Sequence, residues 1–234
     1  MVKKGIFITF EGGEGSGKSS QLELLRLNLL SKGYNVTALR EPGGTPIGEE
    51  IRHTLKHSKN GVKMTPETEL LLINASRAQI VREKIRPALD KGEIVLCDRF
   101  YDSTIAYQGY GRGLDLDQVA NTINLATGGL EPDLTFLINV SVEQGLENAK
   151  SRNADLPFKE EYDRLDAQEL IFHQKVYQGF QDIASRESDR VVVISYKHKD
   201  IDGTSREILD HVLEYLSQNP HLYLENQKLA TKRL

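Results

Sequence analysis

The sequence predicts an α/β protein, a doubly wound sheet of five parallel strands flanked by helices. Three observations carry that prediction. Short apolar, β-branched runs recur along the chain, each followed by a stretch of helical periodicity. The first run, Ile6-Phe7-Ile8-Thr9-Phe10-Glu11, opens straight into glycines and then a leucine-rich helical pattern. Another run, Ile94-Val95-Leu96-Cys97-Asp98, is apolar until a terminal carboxylate. That is the signature of a strand buried on both faces whose C-terminal tip meets a ligand.

The loop after the first run carries the chemistry. Gly12, Gly17, Lys18 and Ser19 fill the pattern G-x-x-x-x-G-K-[ST] between a strand and a helix, the context the pattern requires. Gly12, Gly13, Glu14, Gly15, Ser16, Gly17, Lys18, Ser19 and Ser20 are the expected triphosphate-binding stretch. Glycines let the backbone curl with its N–H groups inward, onto the positive end of the following helix. Lys18 brings a full charge to the β- and γ-phosphates, and the Ser19 hydroxyl is placed to ligate Mg²⁺.

The later elements follow in order. A helix stopped by Gly33 leads to a strand over Val36–Arg40, then to the loop Glu41-Pro42-Gly43-Gly44-Thr45-Pro46 and a short helix over Ile47–Leu55. Thr65-Pro66 starts a longer helix, with Thr65 as N-cap, that is expected to end near Pro87. Ile73 and Arg77 share a face of it; Arg77 on that apolar stripe either snorkels to solvent or aims at a ligand, and periodicity alone favours snorkelling. The third strand, Ile94–Asp98, ends in the pair Asp98-Arg99 at the ligand edge of the sheet, and Cys97 within it reads as a small buried side chain. A glycine-punctuated loop (Gly109, Gly111, Gly113) precedes a helix over Asp117–Ala126 closed by Gly128-Gly129. A fourth strand spans Leu134–Val140, and Ser141 with Gln144 reads as a capping box. Between Lys150 and Asp166 the periodicity breaks into a polar flap. A helix over Ile171–Ile183, a strand over Val191–Ile194 and a helix over Thr204–Leu216, capped by Thr204 and Glu207, complete the domain. Residues 217–234 show no core face and read as an appendage or tail. Residues 1–216 read as one domain.

Bulk properties narrow the function. A net charge of −4 argues against a binder of nucleic-acid polymers, which needs a basic footprint. The single cysteine excludes an internal disulfide and suits a reducing compartment. No apolar run has the length of a membrane span, and the chain enters its first strand without a signal peptide, so the expected location is the cytoplasm. A regulatory GTPase would read guanine with Asn-Lys-x-Asp, but no asparagine here precedes lysine. A phosphoryl-transfer enzyme fits better, because it needs a second anion site facing the first; transfer depends on in-line positioning and on positive charge.

The segments Glu11–Ser19, Arg40–Thr45, Ala75-Ser76-Arg77, Asp98-Arg99-Phe100 with Ser103–Gly109, and Asp163-Arg164-Leu165-Asp166 together resemble the bacterial thymidylate kinase family in order and spacing. The resemblance runs from about Ile6 to Leu216. It implies the P-loop kinase fold and Mg²⁺-ATP-dependent phosphorylation of dTMP to dTDP, usually by a homodimer. It also implies site roles. Arg99 is similar in position to the arginine that grips the dTMP phosphate, Arg77 to the one that hydrogen-bonds thymine, and Glu14 to the carboxylate near the sugar 3′-hydroxyl. Tyr107 and Gln108 resemble the pair that crowds the ribose 2′ side and reads the base, with Thr104 at the base edge. Arg52 and Glu41 stand near the acceptor phosphate and its Mg²⁺-linked water, and Asp98 on the metal side.

Two departures from the family pattern stand out. Ile73 occupies the place of a phenylalanine that stacks on thymine, so aromatic stacking is given up. Gly15 stands where some members carry an arginine; the resemblance then implies that Arg152 or Arg164 of the flap is catalytic. An arginine introduced at position 15 is accordingly expected to restore part of a rate lost from the flap. The rival readings are another nucleoside or nucleotide kinase and a nucleotide-dependent switch without a small acceptor.

Overall fold

The computed structural model describes residues 5–57, 64–154, 168–196 and 200–220. Its five strands are β1 (Ile6–Glu11), β2 (Val36–Arg40), β3 (Ile94–Asp98), β4 (Leu134–Asn139) and β5 (Val191–Ser195). All four pairings are parallel, in the spatial order β2-β3-β1-β4-β5. β1 and β3 are neighbours, but β1 connects to β2 on one side and β3 connects across β1 to β4 on the other, so the topological switch point lies between their tips. Ligands of open α/β sheets bind outside the carboxyl ends of strands at that point. Phe10 is paired with Asp98 and Phe136, which brings the tips of β1 and β3 side by side.

Both faces of the sheet are covered, and alternation sorts the side chains between them. Ile6, Ile8 and Phe10 face one layer with Leu25 and Leu29 of α1 (Lys18–Ser31) and Ile208 and Val212 of α9 (Ile201–Gln218). Phe7, Val95 and Cys97 face the other, against Ile80 of α3 (Pro66–Ile80) and Val119 and Ile123 of α6 (Leu116–Thr127). Cys97 is fully buried, as expected, and burial pushes its thiol pKa well above the usual value. Two further helices matter for the site. They are α2 (Pro46–His57), after the Glu41–Pro46 loop, and α8 (Leu170–Arg186), which packs on the segment after β3.

Four local expectations change. The helix begun at Thr65, whose hydroxyl accepts from the Thr68 N–H at 3.3 Å, does not stop at Pro87. It passes through a π-helical turn (Val81–Ile85) into a last α turn, α4 (Arg86–Asp90). The π turn shifts the hydrogen-bond ladder ahead of the proline, so Pro87 enters at the start of a fresh α turn, where a missing N–H costs least. Secondly, Gly109 and Gly111 are not loop residues. After α5 (Tyr101–Thr104) the chain winds on as a π-helical segment, Ile105–Gly111. A Cβ at Gly111 would sit 2.7 Å from the Phe172 ring, so this glycine admits close packing of α8. Thirdly, Asp200 caps α9 by accepting from the Gly203 N–H at 2.9 Å, while the Thr204 hydroxyl donates back to the Asp200 carbonyl. An aspartate one turn earlier wins the cap. Lastly, Ser141 accepts from the Gln144 N–H at 3.3 Å, but the Gln144 amide turns to Asn148, which leaves half a capping box at the start of α7 (Val142–Ala154).

Candidate active site

The phosphate loop joins β1 to α1 and takes its shape from positive-φ glycines, Gly12 (+137°), Gly15 (+62°) and Gly17 (+91°). Lys18, at the first position of α1, is buried and folds its ammonium over the loop. It donates to the Gly13 carbonyl at 2.8 Å and to the Ser16 hydroxyl at 3.2 Å. Burial and the nearby Arg99 charge lower its pKa to about 8. Gly15 lies against the first turns of α7. A Cβ there would sit 2.0 Å from the Gly145 carbonyl oxygen and 2.8 Å from the Ala149 nitrogen. Asn148 Nδ2 donates to the Gly15 carbonyl at 3.0 Å and fastens the contact. This geometry overturns the expectation that an arginine could be placed at position 15, since any side chain there collides with backbone.

Facing the loop, Arg99 follows the tip of β3 with φ of +68°, the one positive-φ residue other than glycine among those described. Such a conformation is costly for a residue with a long side chain and is typical of functional sites. Here it turns the guanidinium across the end of β1. Nη1 donates to the Gly12 carbonyl at 3.1 Å and to Ser103 Oγ at 3.0 Å, and Nη2 to Glu14 Oε1 at 2.8 Å and the Tyr107 hydroxyl oxygen at 3.3 Å. The Tyr107 hydroxyl in turn donates to Glu14 at 2.8 Å. Burial alone would raise the Glu14 pKa, but the charges of Arg99 and Lys18 overcome it and bring the value to about 2. Glu14 is therefore an anion between two cations, one on each side of the cleft.

A second cluster centres on Arg77, which is 1% exposed and does not snorkel. Nε donates to Glu41 Oε2 at 2.8 Å, Nη1 to Asn74 Oδ1 at 3.1 Å and Thr104 Oγ1 at 2.9 Å, and Nη2 to the Phe100 carbonyl at 3.1 Å. Ile73, half-buried, lies one helical turn before it on α3. Glu41 is thus turned to Arg77 in the interior, with burial raising its pKa against the pull of that arginine. Arg52 of α2 donates to the Pro42 carbonyl at 3.0 Å, so it borders the same loop. Gln108 is buried beside Thr104 on the winding after β3.

The residues present fit a magnesium ion of the kind shared with nucleotide phosphates. The Ser19 hydroxyl is hydrogen-bonded to Asp98 Oδ2, which sets one hydroxyl and one carboxylate together at the mouth of the loop. No cluster of three or more His, Cys, Asp or Glu able to hold a metal occurs among the described residues. Magnesium needs none, since it keeps water and substrate phosphate oxygens in its shell.

The fold therefore brings Glu14, Lys18, Ser19, Asp98, Arg99, Thr104, Tyr107 and Gln108 to the sheet edge, with Arg77 and Glu41 joined beside them. Arg152 lies in α7, but its side chain and the whole of Arg164 fall outside the described residues. Sequence reasoning missed Glu11 and Glu69. Glu11 accepts from the Phe100 N–H at 2.7 Å and from the Ser103 hydroxyl, and burial beside the Asp102 charge raises its pKa to about 7. Glu69 holds Gln108 and Arg112. The signal for Glu11 was in view, a carboxylate ending an apolar strand; Glu69 carries no such signal, being one of two acids in the first turn of α3.

The sequence profile of the thymidylate kinase family matches residues 10–208. The chain belongs to the thymidylate kinase family. A thymidylate kinase of an Exiguobacterium species is 46% identical over 214 residues, 92% of this chain and 97% of that protein. One from Geotalea daltonii is 48% identical over 190 residues, 81% of this chain and 88% of its own. Among solved structures, the crystal structure of thymidylate kinase from Ehrlichia chaffeensis superposes with a TM-score of 0.70 at 35% identity, covering 89% of this chain and 98% of that one. The family match runs from the end of β1 past β5.

Proposed function

We propose that this chain transfers the γ-phosphoryl group of ATP to dTMP, giving ADP and dTDP. The observation that carries the reading is the meeting of Arg99 with the phosphate loop. Its guanidinium bonds Gly12 and Glu14, so a phosphate gripped by Arg99 would face the γ-phosphate in the loop. Phosphoryl transfer needs that in-line approach and charge to match the developing negative charge. In this reading the loop N–H groups and Lys18 hold the ATP phosphates, and Arg99 exchanges Glu14 for the dTMP phosphate. Glu14, released, accepts from the sugar 3′-hydroxyl, while Tyr107 crowds the 2′ side. Ile73 packs on thymine, and Arg77, Thr104 and Gln108 line its polar edge. Arg52 borders the acceptor phosphate, and Glu41 acts from behind by holding Arg77. Ser19 and Asp98 would hold Mg²⁺, whose charge neutralises the β/γ-phosphate oxygens. A flap over residues 150–166 of the domain 1–216 supplies Arg164 or Arg152 to the transferring group.

The family resemblance further supports a homodimer working in the cytoplasm; no helix among the described residues is long and apolar enough to cross a membrane. Exposed Leu71 and Leu125, on the packed helices α3 and α6, suit such an interface. A coupled assay with ATP fixed and the nucleoside monophosphates varied tests the whole reading. It expects turnover with dTMP and none with thymidine, which offers Arg99 no phosphate. Slow ATP hydrolysis indifferent to every monophosphate would overturn it in favour of a switch.

A further inference from the structure

Behind Gln108 lies a cluster in which Gln108 and Arg112 both donate to one carboxylate. Glu69 of α3 and Gln108 are each 1% exposed. Gln108 Nε2 lies 2.7 Å from Glu69 Oε1. Arg112 closes on the same carboxylate, Nε reaching Oε1 at 3.2 Å and Nη2 reaching Oε2 at 3.1 Å. A carboxylate held at both oxygens by a guanidinium is ionised and can only accept. The end of Gln108 facing it must therefore be the NH₂; the opposite orientation would press two oxygens together. The Gln108 side-chain carbonyl is turned away from Glu69 and accepts no hydrogen bond from any described residue.

We propose that Glu69 is a positioning residue for base selection. By holding the Gln108 amide in one orientation, it makes Gln108 present an acceptor to the base. That favours a pyrimidine carrying a proton on N3, as thymine and uracil do, over cytosine, whose N3 is itself an acceptor. The inference rests on the reading of Gln108 as base-facing given above. Without Glu69 as a fixed anion, the amide would turn to suit either base, because an amide is donor and acceptor at once.

The test compares kcat/KM for dTMP, dUMP and dCMP in wild type, Glu69→Gln and Glu69→Asp. Glutamine at 69 can bond Gln108 in either orientation, so the preference for dTMP over dCMP falls by roughly tenfold, the worth of exchanging a made for an unmade hydrogen bond. The preference for dTMP over dUMP stays, because those two bases share the same N3 and O4 edge. Aspartate, still an acceptor only, retains the dTMP:dCMP preference. A ratio of specificity constants is independent of how much enzyme is folded, so a merely structural lesion would not move it. Should Glu69→Gln fail to fold with Arg112 left unpaired, Glu69→Gln with Arg112→Met removes both charges and carries the same measurement. An unchanged dTMP:dCMP ratio in the glutamine variants, or an aspartate variant that loses as much, overturns the inference. Wild-type enzyme that fails to phosphorylate dTMP overturns instead the functional reading beneath it.

Discussion

At Lys18, burial and charge set a measurable pH limit. Its ammonium loses a proton at about pH 8, while bound polyphosphate favours the charged form. ATP binding above that pH must therefore take up a proton, and affinity should fall by up to about tenfold per pH unit above 8 while staying flat, as far as Lys18 is concerned, below 7. Direct ATP titration from pH 6.5 to 9.5 checks this, and a flat affinity to the upper limit would contradict it. Arg99→Ala tests the other side of the cleft. It forfeits a charge-assisted contact worth about 1.5–3 kcal/mol, so the dTMP KM should rise and turnover fall, with ATP affinity little altered. Superimposed dTMP titrations of mutant and wild type would make Arg99 structural. Both residues were legible in the sequence because motif spacing or a strand tip marked them. Glu69 was not, and of Glu11 only its place at a strand tip was, since their roles depend on partners 39 and 89 positions away that only the fold brings near. The interior course of Arg77 was hidden for the same reason: periodicity reports a helix face, not the acceptors waiting beyond it.

Among elements, strands and most helices were legible because β-branched runs and capping residues mark them locally. Thr65 and Asp115 cap α3 and α6 from within their own first turns. Where the reading failed, contacts between elements had overridden local signals. Pro87 stays helical because a π turn reregisters the ladder before it, and Gly111 stays helical because α8 needs the space. Gly15 belongs to the same class, read as freedom for the loop but also required for the loop's seat on α7. Gly15→Ala should thus be far more damaging than a surface substitution. Its Cβ meets two backbone atoms of α7 and its φ of +62° is unfavourable for alanine, so the loop or the helix must move. We expect ATP affinity to fall at least tenfold, measured by titration, along with a thermal midpoint lowered by several degrees for a cost of about 1–3 kcal/mol. Wild-type affinity and midpoint in Gly15→Ala would show that the close seat is dispensable.

For the whole molecule, the parallel sheet gathers at one edge groups that are far apart in sequence: the loop after β1, the Glu41–Pro46 loop after β2, the tip of β3 and the start of α7 after β4. Alternation of strands and helices made that edge predictable, since parallel order puts every strand's carboxyl end on the same side. The contact of Gly15 with α7 adds that the helix leading into residues 155–167 is itself fastened to the phosphate loop. In the proposed reading, charge from beyond α7 would follow a helix already fastened to the phosphate loop. Gly15 leaves the loop without an arginine of its own, and in that reading Lys18 and Arg99 would serve donor and acceptor separately. A further cation acting only as the phosphoryl group moves would lower turnover and specificity constant together, with substrate dissociation constants little changed. Arg164→Ala should show that pattern with a loss of two or more orders of magnitude, because it lies in the Asp163-Arg164-Leu165-Asp166 segment; Arg152→Ala is the comparison. Single-turnover kinetics with direct dTMP and ATP binding separate the two effects. Near-normal turnover in both variants and in their double would leave the flap as a cover and place the catalytic charge elsewhere.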